Sequence, residues 1–282
     1  RSVRDSAAML DATAGVEPGS PYDAPGGGGF LEATRRDPGQ LRVGISTTPE
    51  VFGLEMETPC IEALGETSRL LEGLGHVVEE VPLPYDEWEV LRASITLAAA
   101  HSAAVVSGLE QKYGRRQVRS SLEETILLLA TMGRVFPAEV PAEARQTGLR
   151  IGSELAAYFS RYDVLLTPTL GRVPVPLDQA KPSAAEQQMV RLLISAAGAR
   201  ALRVGRVRDA IMQAQLARLT QQAMHRTMAA NLTGVPAMSV PLYRTENDLP
   251  VGVQFTARFG DEATLLSLAA QLERAKPWRV RR

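Results

Sequence analysis

The chain has 282 residues, 45% hydrophobic and 22% charged, an ordinary globular composition long enough to bury a sizeable core in one large or two modest domains. A formal net charge of -1 gives no electrostatic reason to expect nucleic acid or an anionic membrane as partner. A single cysteine, Cys60, excludes an internal disulfide and a cysteine-based metal cluster.

Ser2 with Asp5 three residues later has the form of a capping box. Val3, Ala7, Leu10 and Ala14 then recur at helical spacing until Gly15 closes the helix. Residues 16–40, with Pro18, Pro21, Pro25, glycines at 26–29 and Pro38, read as a surface linker rather than an element. These glycines do not read as a phosphate cradle, because no Gly-Lys-Ser/Thr follows and no strand precedes them. Leu41 to Val81 has the pattern of a βαβ unit, its strands at Leu41–Ile45 and His76–Val81 expected to pair in parallel through a right-handed crossover. Between them Thr58 is expected to cap a helix with Pro59 at its first position. Ile61, Leu64, Ser68 and Leu71 would line its inner face, and Gly75 would end it.

Residues 86–161 read as three helices without a strand, starting at Asp86, at Ser120 or Ser121, and at Pro141. No apolar run reads as long enough to span a bilayer. Asp163–Thr167 is a short apolar strand of the kind buried on both faces. A loop rich in proline (Pro168, Pro174, Pro176, Pro182) and two helices over roughly 184–198 and 206–230 follow. Val235–Leu242 alternates but carries Pro236 and Pro241, so it is not a regular central ladder throughout. Val251, Val253 and Phe255 share one face of the next strand, with Gly252 and Gln254 on the other. Asp261 caps a final helix with Leu265, Leu268, Ala269 and Leu272 inward. These elements predict an α/β fold, a mixed, mainly parallel sheet flanked by helices.

A hydrolytic serine needs a base within hydrogen-bond reach, commonly His or Lys. The sequence has no G-x-S-x-G elbow and no Ser-x-x-Lys pair. Lys112 and Lys276 fall on polar helix stretches and Lys181 in the proline-rich loop, all read as solvated surface charges. His76, His101 and His225 are far apart with no carboxylate or second histidine at ligand spacing, so no metal site is expected. His101, among alanines on a helix, reads as a partly buried, satisfied histidine. His225, shortly before Asn231, is a functional candidate. Glu79–Glu80 and Glu123–Glu124 read as solvated charge, and Cys60 as an inert thiol early in a helix. On its residues alone the chain is an α/β domain without a complete catalytic constellation.

Asn231-Leu-Thr-Gly-Val-Pro-Ala-Met-Ser-Val-Pro-Leu242, followed by Leu249–Phe255 and taken with the opening Arg1–Asp11, resembles the C-terminal part of an amidase signature family hydrolase. Arg1–Asp5 and Leu10–Gly15 look like the helix after the signature region, Asp163–Thr169 like the buried strand with its Thr-Pro-Thr end, and Asp261–Glu273 like the last helix. The resemblance implies an incomplete amidase signature fold forming a single domain over 1–282, with a helical substrate-pocket insertion at about 86–161. It implies a Ser-cis-Ser-Lys triad and a backbone oxyanion hole that cleave the carbon–nitrogen bond of a small-molecule amide without metal or cofactor.

Those catalytic residues belong before Arg1, and the chain, which starts without Met and runs at once into a helix, is expected to lack its native N-terminus. No catalytic residue is therefore assigned here. The missing N-terminal half of the same protein becomes the expected partner, and the chain alone is expected to be inactive. Candidate substrate-binding residues are Thr167 and Thr169, at the carboxyl end of a strand where α/β sheets place ligands, with Asn231, Gly234 and His225. The four that are not histidine could equally serve only to build turns. The remaining expectations are a cytoplasmic location and no nucleic-acid or membrane partner, with a homo-oligomer left open. The alternative is a non-catalytic fragment or pseudoenzyme that binds a ligand or another chain. Without the upstream half, Val164–Leu166 and the Val251, Val253 and Phe255 face are expected to stand uncovered, leaving the chain aggregated, oligomeric or partly molten.

Overall fold

A computed structural model describes residues 2–19, 28–48, 50–51, 54–176, 183–221 and 225–278. Pro21, Pro25, Gly26, Gly27, Lys181 and Pro182 of the sequence reading lie outside them. The chain forms two compact units: Arg1–Glu87, Ile151–Pro174 and Ala223–Arg282 make the first, Trp88–Arg150 and Val175–Gln222 the second.

Helix α1 (Val3–Thr13) opens with the expected box: Ser2 Oγ accepts from the Asp5 N–H at 3.1 Å, and Asp5 Oδ2 accepts from the Ser2 N–H at 3.0 Å. The helix stops on an extended Ala14, one residue short of Gly15. The 16–40 stretch is not all linker, because it contains a short helix, α2 (Phe30–Ala33). Its free N–H groups are met from a distance: the Asp11 carboxylate accepts from Phe30 at 2.9 Å and from Leu31 at 2.7 Å.

Strand β1 (Arg42–Ile45) is followed by an unexpected two-stranded hairpin, β2 (Glu50–Val51) with β3 (Leu54–Glu55). In α3 (Thr58–Gly73) the N-cap is Glu57 rather than Thr58, and Pro59 sits in the first turn. Glu57 makes no cap bond because its carboxylate is turned to the loop beyond the next-but-one strand, accepting from the Val173 N–H at 2.9 Å. The buried stripe of α3 is Cys60, Ala63, Leu64, Thr67 and Leu71, whereas Ile61 is 44% exposed. Small side chains at Cys60 and Ala63 let the helix lie close to the sheet and turn the bulky Ile61 outward. Strand β4 (Val77–Glu80) completes the unit and pairs with β1 in parallel, as expected.

Residues 86–161 are helical without a strand, but in four helices rather than three: α4 (Glu87–Tyr113), α5 (Arg115–Ser121), α6 (Glu124–Gly133) and α7 (Glu139–Tyr158). Gly114, at φ 83°, breaks the chain between α4 and α5, and Ser120 and Ser121 end a helix instead of starting one. Strand β5 (Val164–Pro168) is followed by α8 (Ala184–Ile194), α9 (Ala196–Ala201) and α10 (Gly205–Gln221). The break after α8 comes from Ser195, whose Oγ caps α9 by accepting from the Gly198 N–H at 3.2 Å. A 3-10 turn (His225–Thr227), α11 (Met228–Thr233), β6 (Ala237–Arg244), β7 (Pro250–Ala257) and α12 (Glu262–Ala275) complete the order.

The main sheet of the first unit runs β4-β1-β5-β7-β6. The β4–β1 and β1–β5 pairs are parallel, and β5–β7 and β7–β6 antiparallel. Four strands therefore point one way and β7 alone opposes them, which is the mixed, mainly parallel sheet expected. Pro241 falls where the β6–β7 register shifts, between Val240 and Tyr243, on an edge strand. One face of the sheet carries Val43, Ile45, Val164, Leu166, Val253 and Phe255. It packs against Cys60, Leu64 and Leu71 of α3 and Leu265, Leu268 and Leu272 of α12. Asp261 caps α12 as expected, accepting from the Thr264 N–H at 3.3 Å. The uncovered strands anticipated from sequence do not exist: Val164, Leu165, Leu166, Val251, Val253 and Phe255 are all buried by this chain itself.

In the second unit Leu128 and Met132 of α6 pack with Ala99, Leu193 and Leu202. A Cβ on Gly133 would lie 2.0 Å from the Ala99 carbonyl oxygen, so α4 and α6 meet backbone to backbone there. Two sequence readings need correcting in α4. By length and composition it is apolar enough to cross a membrane, yet Val90, Leu91, Ile95, Ala99, Ala103 and Val106 are buried, as in a core helix. His101 is exposed rather than partly buried, on the side of α4 away from Ala99 and Ala103.

Candidate functional site

The face of the sheet opposite the α3 and α12 core carries polar residues. In register, Thr167 of β5 stands opposite Gln254 of β7, and Gln254 opposite Ser239 of β6. Ser46, one residue past β1, extends this row, its N–H donating to the Leu166 carbonyl at 3.0 Å. Directly opposed residues project to the same side. The row Ser46, Thr167, Gln254, Ser239 therefore lies at the carboxyl ends of the parallel strands β1 and β5, the position at which such sheets hold ligands. Ser46 Oγ is 3.3 Å from Thr48 Oγ1, and Thr169 Oγ1 is 2.6 Å from Ser239 Oγ. The hydroxyls at the rim of the row thus bond to one another.

Thr167 differs from these. It is 1% exposed and its Oγ1 has no hydrogen-bond partner among the described residues. An unsatisfied buried hydroxyl costs roughly 1–3 kcal/mol, so its persistence calls for a reason. The loop that follows it is tied down by three contacts. The Thr169 N–H donates to the Gly252 carbonyl at 3.2 Å, the Glu57 N–H to Gly171 at 2.9 Å, and Arg172 Nε lies 3.2 Å from Glu57 Oε1. Gly252 is needed for the close approach: a Cβ there would sit 2.4 Å from Ser239 Oγ and 3.0 Å from Thr169 Oγ1.

Gln254, also buried, links the row to a second feature by donating from Nε2 to the Arg226 carbonyl at 3.0 Å. Arg226 is 1% exposed, the largest fully buried side chain among the described residues. Its Nε lies 2.9 Å from Glu87 Oε1, close enough for an ion pair but outside hydrogen-bond geometry, and its terminal nitrogens have no hydrogen-bond partner among the described residues. Tyr85 shares this buried charge cluster. Burial pushes its phenol well above the usual range and Glu87 adds to the rise, with the Arg226 guanidinium opposing both.

The candidates named from sequence are partly brought together. Thr167 and Thr169 sit in or beside the row, and His225 shares the 3-10 turn of Arg226, whose carbonyl Gln254 holds. The side chain of His225 lies outside the described residues. Asn231 is exposed on α11, and Gly234, left-handed at φ 79°, caps that helix by donating to Ala230 O at 2.8 Å. Cys60 is fully buried, its thiol pushed up to about 11 by burial and then by the Glu57 charge. Lys276 pairs with Glu66 at 2.8 Å, and Lys112 lies over the Tyr113 ring. Sequence reasoning passed over Ser46, Ser239, Gln254 and Arg226. The alternation of β7 put Gln254 on this face; nothing local marks a buried arginine.

The Amidase family model matches residues 1–200 and 191–266. The chain belongs to the amidase family. It is 28% identical over 289 residues to 6-aminohexanoate-cyclic-dimer hydrolase from Pseudomonas sp. (strain NK87), covering 100% of this chain and 54% of that protein. It is 30% identical over 285 residues to the putative amidase AmiB2 of Mycobacterium tuberculosis (strain ATCC 25618 / H37Rv), covering 100% and 52%. Among solved structures, 6-aminohexanoate cyclic dimer hydrolase complexed with substrate matches with a TM-score of 0.76 at 25% identity, covering 99% of this chain and 54% of that one. A bacterial aryl acylamidase of the amidase signature family has the same fold, with a TM-score of 0.73 at 20% identity, covering 99% and 52%. The chain thus spans about half the length of the curated relatives it matches.

Proposed function

We propose that this chain is the C-terminal part of an amidase signature hydrolase that cleaves a carbon–nitrogen bond in a small-molecule amide. Its nucleophile and base are supplied from outside residues 1–282, and its own contribution is to hold the substrate. The observation that carries this reading is the unpartnered, buried Thr167 hydroxyl at the strand end, within a chain that belongs to the amidase family. A hydroxyl can donate to an amide carbonyl or accept from an amide N–H, so it suits either end of the scissile group. Gly252 keeps the approach narrow, and the Thr169–Ser239 pair supplies a polar rim. Asn231, Gly234 and His225 remain proposed contacts on the neighbouring turn and helix. A cyclic amide is the first substrate class to try, because a relative over the whole chain is a hydrolase of one.

The intact protein should be assayed for amine release from 6-aminohexanoate cyclic dimer and from a linear aryl amide, alongside the 282-residue chain alone. Turnover is expected only from the intact protein. Thr167→Val removes the hydroxyl at nearly constant volume. It should lower kcat/KM by roughly tenfold, the equivalent of about 1.4 kcal/mol, without loss of melting temperature. Unchanged kinetics in that variant would remove Thr167 from the site. Turnover by the isolated chain would show that it carries its own nucleophile.

A further inference from the structure

A second site lies wholly within the helical unit. A cavity of about 350 Å³ is lined by five arginines, Arg115, Arg119, Arg134, Arg200 and Arg203, and by one carboxylate, Glu110. The whole chain has a net charge of -1, so this concentration of positive charge is local and not a reflection of overall composition. Like charges gathered around one hollow repel each other and create a potential that draws in anions.

The arginines divide into those already engaged and those not. Arg134 pairs with Glu110 at 2.8 Å, and Arg115 lies 4.0 Å from the same carboxylate, so that one acid serves two guanidinium groups. Arg119 donates to the Ile194 carbonyl at the end of α8. Arg200 and Arg203 have no ion-pair partner among the described residues, and both are exposed where they line the cavity. The walls between the charges are apolar, from Leu127, Ala130 and Ile194.

We propose that this cavity binds a small organic phosphate. Arg200 and Arg203 would hold the phosphate, Arg119 and Arg134 would add to the attractive field, and the organic part would lie on Leu127 and Ile194. The planar guanidinium fork matches the oxygens of a phosphate, and the unbalanced charge favours a dianion over a single carboxylate. The volume falls in the range of small-ligand pockets. This site uses none of the residues of the Thr167 row, so it stands or falls independently of amide hydrolysis.

The test is isothermal titration calorimetry of the intact protein in 150 mM salt with phenyl phosphate, inorganic phosphate and glutarate. The expected result is saturable one-site binding of phenyl phosphate, weaker binding of inorganic phosphate, and at least a tenfold loss in Arg200→Gln/Arg203→Gln. Arg200→Gln alone, at an exposed position, should weaken binding at least threefold and serves if the double variant does not fold. Melting of the unliganded single variant should be unchanged or raised, since a repulsion is relieved. The proposal is overturned if phenyl phosphate gives no saturable binding, if the variants bind as well as the parent, or if only glutarate binds.

Discussion

Arg226→Met is the substitution whose outcome the structure constrains most. The guanidinium is 1% exposed and its Nε stands 2.9 Å from Glu87 Oε1, a carboxylate that is itself only 15% exposed. At that separation, with an effective dielectric near 20, the gross attraction is about 6 kcal/mol. Desolvation of both charges offsets much of it, and the two unpartnered terminal nitrogens add a further cost. Removing one member of a buried pair nonetheless destabilises by roughly 3–5 kcal/mol, because the other charge loses an opposite charge at contact distance. For a protein of this size the loss is about 6–20 °C in melting temperature.

The double variant Arg226→Met/Glu87→Met should behave differently. It removes both buried charges and the orphaned nitrogens together, a change that is often neutral or stabilising by about 1–4 kcal/mol. Glu87 also starts α4, so its replacement costs about 0.3–1 kcal/mol of favourable interaction with the helix N-terminus. The double variant should therefore melt near the parent and well above the single. Guanidinium denaturation of the intact protein, parent and three variants, closes the cycle. If Arg226→Met stays within about 1 kcal/mol of the parent, or the double variant is no better than the single, the pair is not the coupled unit described.

Two further outcomes follow from single positions. Gly252→Ala places a methyl 2.4 Å from Ser239 Oγ, forcing apart the Thr169–Ser239 pair. It should cost about 1–2 kcal/mol and change KM in the intact protein, and unchanged kinetics would show that this rim does not touch substrate. Cys60 should resist iodoacetamide at pH 8 in the native state and react only on unfolding; rapid native labelling would contradict its burial. Because burial raises its folded pKa to about 11 from 9.0, its contribution to stability is complete below pH 9 and is lost as the pH rises through about 11. Cys60→Ala should flatten that part of the stability profile, and a profile left unchanged would refute the assignment.

Where the sequence was legible, short-range physics decided the structure. Ser2 and Asp5 are three residues apart and can satisfy each other without help. The apolar run Val164–Leu165–Leu166 had to be a strand covered on both sides, and the alternation of Val251, Val253 and Phe255 fixed which face of β7 was apolar. Pro241 could only fall at an edge irregularity. The misses have distant partners. Helix α2 exists because Asp11 caps it from 19 residues away. The inward face of α3 was set by how near Cys60 and Ala63 allow it to the sheet, while the spacing of Ile61, Leu64, Ser68 and Leu71 was equally helical. At the site, the strand end pointed to Thr167, but its missing partner is a fact of packing alone. Arg226 is one of many arginines until the fold closes over it.

The same covering of strands reverses the expectation of a molten or aggregated chain. That expectation rested on Val164–Leu166 and on Val251, Val253 and Phe255 standing in water, where each large side chain would forgo roughly 1.5–3 kcal/mol. All are 4% exposed or less. The sheet edges are blunted too. β4 carries Glu79, paired with Arg42 at 2.9 Å, and β6 is interrupted at Pro241. Charge and proline at an edge both oppose strand addition by another chain. The most exposed large apolar residues, Leu149 at 68%, Met9 at 66% and Val16 at 61%, lie on two different helices and a loop. Scattered residues of this kind are usual on protein surfaces. Residues 1–282 alone should therefore melt cooperatively and bind little of a dye for apolar surface, while remaining without amidase turnover. Strong dye binding with no cooperative transition would mean that the sheet is not closed as described. Activity without the upstream half would mean that the chemistry is here after all. A cooperatively folded chain is what the covered strands predict.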